Sequence, residues 1–198
     1  MNRMADSGSF LRRRADLPVG PHQVLLASSL SAVYGVILPG DIGVPVVIVQ
    51  HMPPVFTQSL ANSLDKKCAL SVREATNGEP LKANTVYIAP GGKQMKIVAG
   101  GDGRTRLVKI TNDPPENSCK PSVDYLFRSV ADHYVGRATG VIMTGMGSDG
   151  TKGLDQMKRN GAFVIAVLEP WAERTTKELS LRGILSSVAP KLAAVRSA

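Results

Sequence analysis

The apolar run Ala138-Thr-Gly-Val-Ile-Met-Thr144 is followed directly by the glycine-rich stretch Gly145-Met-Gly-Ser-Asp-Gly150. A short apolar run bounded by turn residues predicts a buried strand, and the glycines after it predict a tight turn that leads into a helix. Glycine at such a turn lets the backbone approach a ligand closely. Because the binding sites of open parallel sheets lie at the carboxyl ends of the strands, we expect Asp149 to lie at a functional edge.

The rest of the chain alternates between strand patterns and helix patterns. Further strands are predicted at 24–27, 44–49 and 162–168, and helices at 33–38, 57–65, 121–134, 151–159, 173–181 and after residue 190. Short β candidates at 71–73, 86–89, 95–98 and 106–110, separated by turn residues, predict a β-hairpin-rich insertion. This alternation predicts an α/β fold with a mainly parallel sheet flanked by helices.

The composition is that of one soluble globular domain. The chain has 198 residues, of which 43% are hydrophobic. No apolar run approaches the roughly 20 residues that span a bilayer, and no signal peptide is recognisable, so we expect a cytoplasmic protein without membrane insertion. The net charge is +8, but the basic residues are spread out and only 5% of residues are aromatic. This favours a solvated basic surface, able to dock an acidic protein segment, over nucleic-acid binding.

The chain contains few residues that could bind a metal. It has two cysteines, Cys68 and Cys119, and three histidines, His22, His51 and His133. Their spacing matches no metal-binding motif, and two cysteines make no disulfide framework. The sequence therefore predicts no metal site and no cofactor, and it predicts structural roles for both thiols.

Polar residues follow three of the predicted strands. Ser28, Ser29 and Ser31 follow the first strand, His51 follows the second, and Asp149 follows the strand at 138–144. A serine, a histidine and a carboxylate at neighbouring strand ends would suit nucleophilic acyl transfer, because the imidazole activates the hydroxyl and the carboxylate orients the imidazole. The alternative is structural: serines that cap a helix, a surface histidine and an aspartate that forms a turn. Spacing alone leaves both interpretations open.

Four ordered blocks of sequence carry a resemblance to a known family. They are Gln50-His-Met-Pro-Pro54 with Phe56-Thr57, Val86-Tyr-Ile-Ala-Pro-Gly91, Pro121-Ser-Val-Asp-Tyr-Leu-Phe-Arg-Ser-Val-Ala131 and Thr144-Gly-Met-Gly-Ser-Asp-Gly150. In this order they resemble the catalytic domain of chemotaxis protein-glutamate methylesterases, the CheB family. The resemblance implies a parallel, variant Rossmann-like sheet. It also implies a serine esterase that removes methyl groups from γ-glutamyl methyl esters on chemoreceptor cytoplasmic helices, and that deamidates glutamines there.

The resemblance also implies roles for individual residues. The catalytic histidine of the family falls on His51 and its acid on Asp149, and the nucleophile is best matched by Ser29. The backbone amides of Met146 and Leu30 would then form the oxyanion hole.

The serine turn departs from the family pattern. The family has Gly-x-Ser-Thr-Gly-Gly, whereas this chain has Ala-Ser-Ser-Leu-Ser-Ala at 27–32, with side chains in place of all three glycines. Ser31 is therefore an alternative nucleophile. A second functional hypothesis follows, namely a catalytically impaired relative that binds receptors or another signalling protein.

The domain organisation predicted from the sequence is simple. Residues 1–21 are expected to form a flexible arm or linker remnant, and residues 22–198 one methylesterase-like catalytic domain. The family commonly carries a phosphorylation-receiver domain before the catalytic domain, which makes such a domain an implied partner. Two alternatives stay open: the receiver domain was removed from this chain, or the protein is not controlled in that way.

Overall fold

A computed structural model describes residues 24–28, 40–142 and 148–166 of the chain. These residues belong to one compact unit that ends at Ala166. The predicted arm at 1–21 and the predicted helices at 33–38, 173–181 and after residue 190 lie outside the described residues. Among the described helices, none combines the length and the apolar character that crossing a membrane requires.

Six parallel strands form the main sheet, which confirms the expected fold class. The strands in the described ranges are β1 Val24–Ser28, β2 Val46–Val49, β3 Ser71–Glu74, β4 Thr85–Ile88, β5 Gln94–Ala99, β6 Arg106–Thr111, β7 Ala138–Ile142 and β8 Phe163–Ala166. The order across the main sheet is β3-β4-β2-β1-β7-β8. Strand β1 therefore lies between β2 and β7, and its last residue, Ser28, pairs with Val49 on one side and Ile142 on the other. The chain builds outward from β1 in both directions, so a topological switch point lies beside β1.

The central strands are buried on both faces, as their β-branched sequences predict. Val46, Val47, Ile48 and Val49 of β2 are each at most 3% exposed. Val47 and Val49 pack into one apolar cluster, while Val46 and Ile48 pack into another. Successive side chains of a strand point to opposite faces, so this one run supplies both layers of the core.

Three helices flank the sheet within the described ranges: α1 Phe56–Asp65, α2 Val123–His133 and α3 Thr151–Arg159. The apolar residues that recur at helical spacing in α2, including Leu126, Phe127 and Val130, are buried, as the pattern predicts. Phe56, Leu60 and Leu64 recur at helical spacing in the sequence, which predicts a shared face of α1, but Phe56 is 57% exposed while Thr57, Ala61 and Leu64 are buried. The helix turns this i, i+4, i+7 row toward the sheet, and Phe56, the first residue of the helix, is therefore exposed.

The hairpin-rich insertion is smaller than the turn signals predicted. Among the strands that the structure describes, only β5 and β6 pair in antiparallel fashion, as a two-stranded sheet. Strands β3 and β4 belong instead to the main sheet and pair in parallel. Short strands between turn residues look alike in sequence whether they pair in parallel or not, and the position of β4 between β2 and β3 explains why it is buried along its whole length.

Candidate active site

The site lies at the carboxyl ends of β2 and β7, on either side of β1. His51 follows β2, and Asp149 lies in the turn between β7 and α3. The Nε2 atom of His51 lies 2.8 Å from the Oδ2 atom of Asp149. The imidazole is 42% exposed, whereas the carboxylate is only 5% exposed. The structure thus brings together two of the residues that the sequence placed at separate strand ends.

The carboxylate of Asp149 is held by the amino end of α2. The Val123 amide donates to Oδ2 at 2.8 Å and the Asp124 amide donates to Oδ1 at 3.1 Å. The Ser122 hydroxyl and the Asn117 side-chain amide also donate to Oδ1, at 2.8 and 3.1 Å. The free amides and the dipole at the start of a helix favour a negative charge, so α2 is a built-in anchor for this acid.

These contacts keep Asp149 ionised. Burial by itself would raise the pKa of the carboxyl, but hydrogen bonds from His51, the Val123 and Asp124 amides and the Ser122 hydroxyl outweigh it and hold the pKa far below its usual range. A carboxylate that stays charged at neutral pH keeps the proton of the imidazole on Nε2. It also stabilises the imidazolium that forms when the other nitrogen takes a proton.

The other ring nitrogen of His51, Nδ1, faces away from the acid. The Sγ atom of Cys119 lies 4.0 Å from Nδ1. Burial, and next the charge of Asp149, raise the pKa of the Cys119 thiol, which keeps it protonated at neutral pH. With Nε2 bonded to the acid, Nδ1 is the nitrogen that can accept a proton from a nucleophile.

A buried glutamine fixes the loop that leads into α2. The side chain of Gln94 is fully buried, and its Oε1 atom accepts from the Ser122 amide at 2.8 Å. Its Nε2 atom donates to the Pro114 and Cys119 carbonyl oxygens at 3.0 and 3.4 Å. These contacts tie the hairpin strand β5 to both Ser122, which holds the acid, and Cys119, which lies beside the base.

Two glycines allow the loops around the site to pack closely. At Gly91 a Cβ atom would lie 2.5 Å from the Pro53 carbonyl carbon, so only glycine lets the loop after His51 pack this closely. The Gly91 amide donates to the buried Thr57 hydroxyl at 3.0 Å, which joins the loop after β4 to α1. Gly150, beside the acid, has a φ of 99°, a conformation that favours glycine.

Four of the sequence-predicted site residues, Ser29, Leu30, Ser31 and Met146, lie outside the described residues. Their roles therefore remain predictions.

Several site residues were missed by the sequence reasoning, namely Gln94, Asn117, Cys119 and the Ser122 side chain. For Ser122 a signal was present, because a serine before an apolar helix pattern predicts an N-cap. Its hydroxyl does accept from the Tyr125 amide, at 3.4 Å, while donating to the acid.

The fold and the site together define an α/β protein with a histidine–carboxylate pair at its switch point. This pair is the base half of the machinery of nucleophilic hydrolases. The chain belongs to the CheB methylesterase family, whose profile matches residues 28–173. The resemblance read from the four sequence blocks is thereby confirmed.

Individual relatives and a solved structure agree with this assignment. A protein-glutamate methylesterase/protein-glutamine glutaminase from Desulfotalea psychrophila is 67% identical over 128 residues, which is 65% of this chain and 35% of the relative. Its counterpart from Salmonella typhimurium is 49% identical over 121 residues, 61% of this chain and 34% of that protein. The catalytic domain of Thermotoga maritima CheB methylesterase superposes with a TM-score of 0.69 at 33% identity, covering 85% of this chain and 89% of that one. The chain spans about a third of the length of the curated relatives it matches.

Proposed function

We propose that this chain is a protein-glutamate methylesterase that hydrolyses γ-glutamyl methyl esters on the cytoplasmic helices of chemoreceptors. The observation that carries the proposal is the hydrogen bond between Nε2 of the exposed His51 and the buried, ionised carboxylate of Asp149, which leaves Nδ1 available as a base. The relatives named above carry the activity in their names, and the same site would deamidate receptor glutamines. The enzyme would act in the cytoplasm, and a phosphorylation-receiver domain would be its regulatory partner.

Ser29 is the proposed nucleophile. Strand β1 ends at Ser28, one residue earlier in the chain, between the two strands that lead to the base and the acid. A serine hydroxyl needs a base to take its proton, and His51 supplies Nδ1 for this step. Ser31 remains the alternative nucleophile, since it is the next serine along the chain.

The proposed reaction has two steps. In the first, the Ser29 oxygen attacks the ester carbonyl while Nδ1 of His51 takes the hydroxyl proton, and the amides of Met146 and Leu30 stabilise the oxyanion. Methanol leaves with the proton from Nδ1, and a glutamyl ester on serine remains. In the second step, water attacks this acyl-enzyme with the same nitrogen as base, which frees glutamate and the serine. A glutamine substrate would release ammonia in place of methanol.

The decisive assay is methanol release from methylated receptor. We expect Ser29→Ala and His51→Ala each to lower turnover by at least about 10³-fold, because triad members act as a unit. A phosphonate probe should label Ser29 in the wild type, and Ser31→Ala serves as the matched control.

The labelling pattern separates the alternatives. Full turnover by Ser29→Ala together with a label on Ser31 would move the nucleophile and keep the esterase. No methanol release from the wild type, with measurable receptor binding, would instead support the binding-module hypothesis, which the altered turn at 27–32 motivates.

A further inference from the structure

We propose that Zn²⁺ binds between Nδ1 of His51 and Sγ of Cys119, and that the bound ion switches the site off. The inhibitory consequence rests on the proposed function, whereas the binding itself does not. No known metal-ligand spacing suggests this site, because the two residues are 68 positions apart in the chain. The fold alone brings them together.

The distances suit a tetrahedral zinc ion. The ligand atoms of His51, Cys119 and Asp149 all lie within 4.8 Å of one another, and Sγ is 4.0 Å from Nδ1. Zinc bonds of about 2.3 Å to sulfur and about 2.0 Å to nitrogen, at a tetrahedral angle, place these two atoms about 3.5 Å apart. A small rotation of the half-exposed imidazole closes that difference.

Asp149 serves such an ion as an outer partner. Its Oδ2 atom already accepts from Nε2 of His51 and from the Val123 amide, and its Oδ1 atom accepts from three further donors. A histidine that binds zinc through one nitrogen usually donates the other N–H to a carboxylate, which fixes the tautomer and makes the ligand more basic. In this site Nε2 of His51 already bonds to the Asp149 carboxylate in this way.

Hydrogen bonds from neighbouring residues hold the backbone of Cys119 in place. The Cys119 amide donates to the Glu116 carbonyl at 2.8 Å, and the Glu116 amide donates back to the Cys119 carbonyl at 3.1 Å. The side-chain amide of Gln94 also donates to the Cys119 carbonyl oxygen, which is the third hydrogen bond to the backbone of Cys119. A thiol beside an imidazole selects soft or borderline ions such as zinc over magnesium or calcium, which prefer oxygen ligands.

Occupation of this site removes the base. Zinc bound to Nδ1 uses the lone pair that would accept the serine proton, and Cys119 releases its own proton to the solvent to become the thiolate ligand. The ester hydrolysis stops until a chelator removes the ion.

Binding is tested with Co²⁺, whose thiolate-to-metal absorption band reports a bound cysteine. We expect the 198-residue chain to show this band and Zn²⁺ to abolish it by displacement. Cys119→Ser should lose the band, whereas Cys68→Ser should keep it, because Cys68 packs against the apolar cluster that contains Val46 and Ile48, away from His51. A band that persists in Cys119→Ser, or is lost in Cys68→Ser, would overturn the proposal.

Inhibition is tested by methanol release, with each variant compared to its own metal-free rate. Zn²⁺ should lower the rate of the wild type and of Cys68→Ser by about tenfold or more, and EDTA should restore it. Because Cys119→Ser lacks one ligand, the Zn²⁺ concentration that inhibits it by half should be at least about tenfold higher than that for the wild type. Equal zinc sensitivity of the two variants would refute the inference. If the metal-free chain releases no methanol, the esterase proposal fails and the cobalt band alone decides the zinc site.

Discussion

Replacing Asp149 by asparagine tests the site most directly, because the change keeps the shape and removes the charge. The carboxylate accepts hydrogen bonds on both oxygens: Oδ2 from His51 and the Val123 amide, and Oδ1 from donors that include Ser122. An asparagine offers one oxygen and one NH₂ group. Whichever way it is oriented, its NH₂ group meets a donor that the carboxylate had satisfied.

The more favourable orientation keeps the amide oxygen at the Oδ1 position, where three donors converge. The NH₂ group then faces Nε2 of His51, which must become an acceptor, so the ring proton moves to Nδ1. An imidazole with a proton on Nδ1 cannot take one from a serine, and we expect kcat for methanol release to fall by about 10⁴-fold. The Val123 amide also loses its partner, which should cost about 1–3 kcal/mol of unfolding free energy.

Asp155→Asn is the matched control for this experiment. Asp155 lies on α3 and makes an exposed ion pair with Arg159, so its loss should change neither rate nor stability appreciably. Methanol release and urea unfolding would be measured on both variants. An Asp149→Asn protein that keeps more than about a tenth of the wild-type kcat would contradict the assigned tautomer, since losing that tautomer costs far more.

Three further outcomes are expected. Gly91→Ala should lower stability by about 1–3 kcal/mol and reduce turnover, because a Cβ there would lie 2.5 Å from a backbone carbon of the loop that carries the base. Gly101→Ala, where nothing lies within 4 Å, should do neither. The pKa of Asp149 is depressed in the folded state, so its contribution to stability is present above the unfolded pKa of about 3.9 and is lost as the pH falls below that value. The free energy of unfolding, measured at decreasing pH, should therefore fall less steeply for Asp149→Asn than for the wild type. Gln94→Leu should lose about 1–3 kcal/mol by leaving a buried amide without an acceptor, while exposed Gln58→Leu should be nearly neutral in urea unfolding.

Much of the fold follows from local patterns in the chain. The run Val46–Val49 is apolar at every position, which suits a strand covered on both faces, and it forms β2. Ser122 before a helical row of apolar residues marks the start of α2. Helix period and strand period are local properties, and the boundaries of the described helices and strands were predicted to within a few residues. The pairing partners of β3 and β4 were not, because a short strand carries no local sign of the strand beside it.

The sequence by itself determined the alternation of strands and helices, the positions of His51 and Asp149 at strand ends, and the family. Only the tertiary structure decided what surrounds those two side chains. Asn117 lies 32 residues before Asp149, and Cys119 lies 68 residues after His51, yet each pair is in contact. Such contacts depend on strand order and on how α2 packs across the edge of the sheet. Local patterns encode the elements, whereas the approach of distant elements is set by the packing of the whole core.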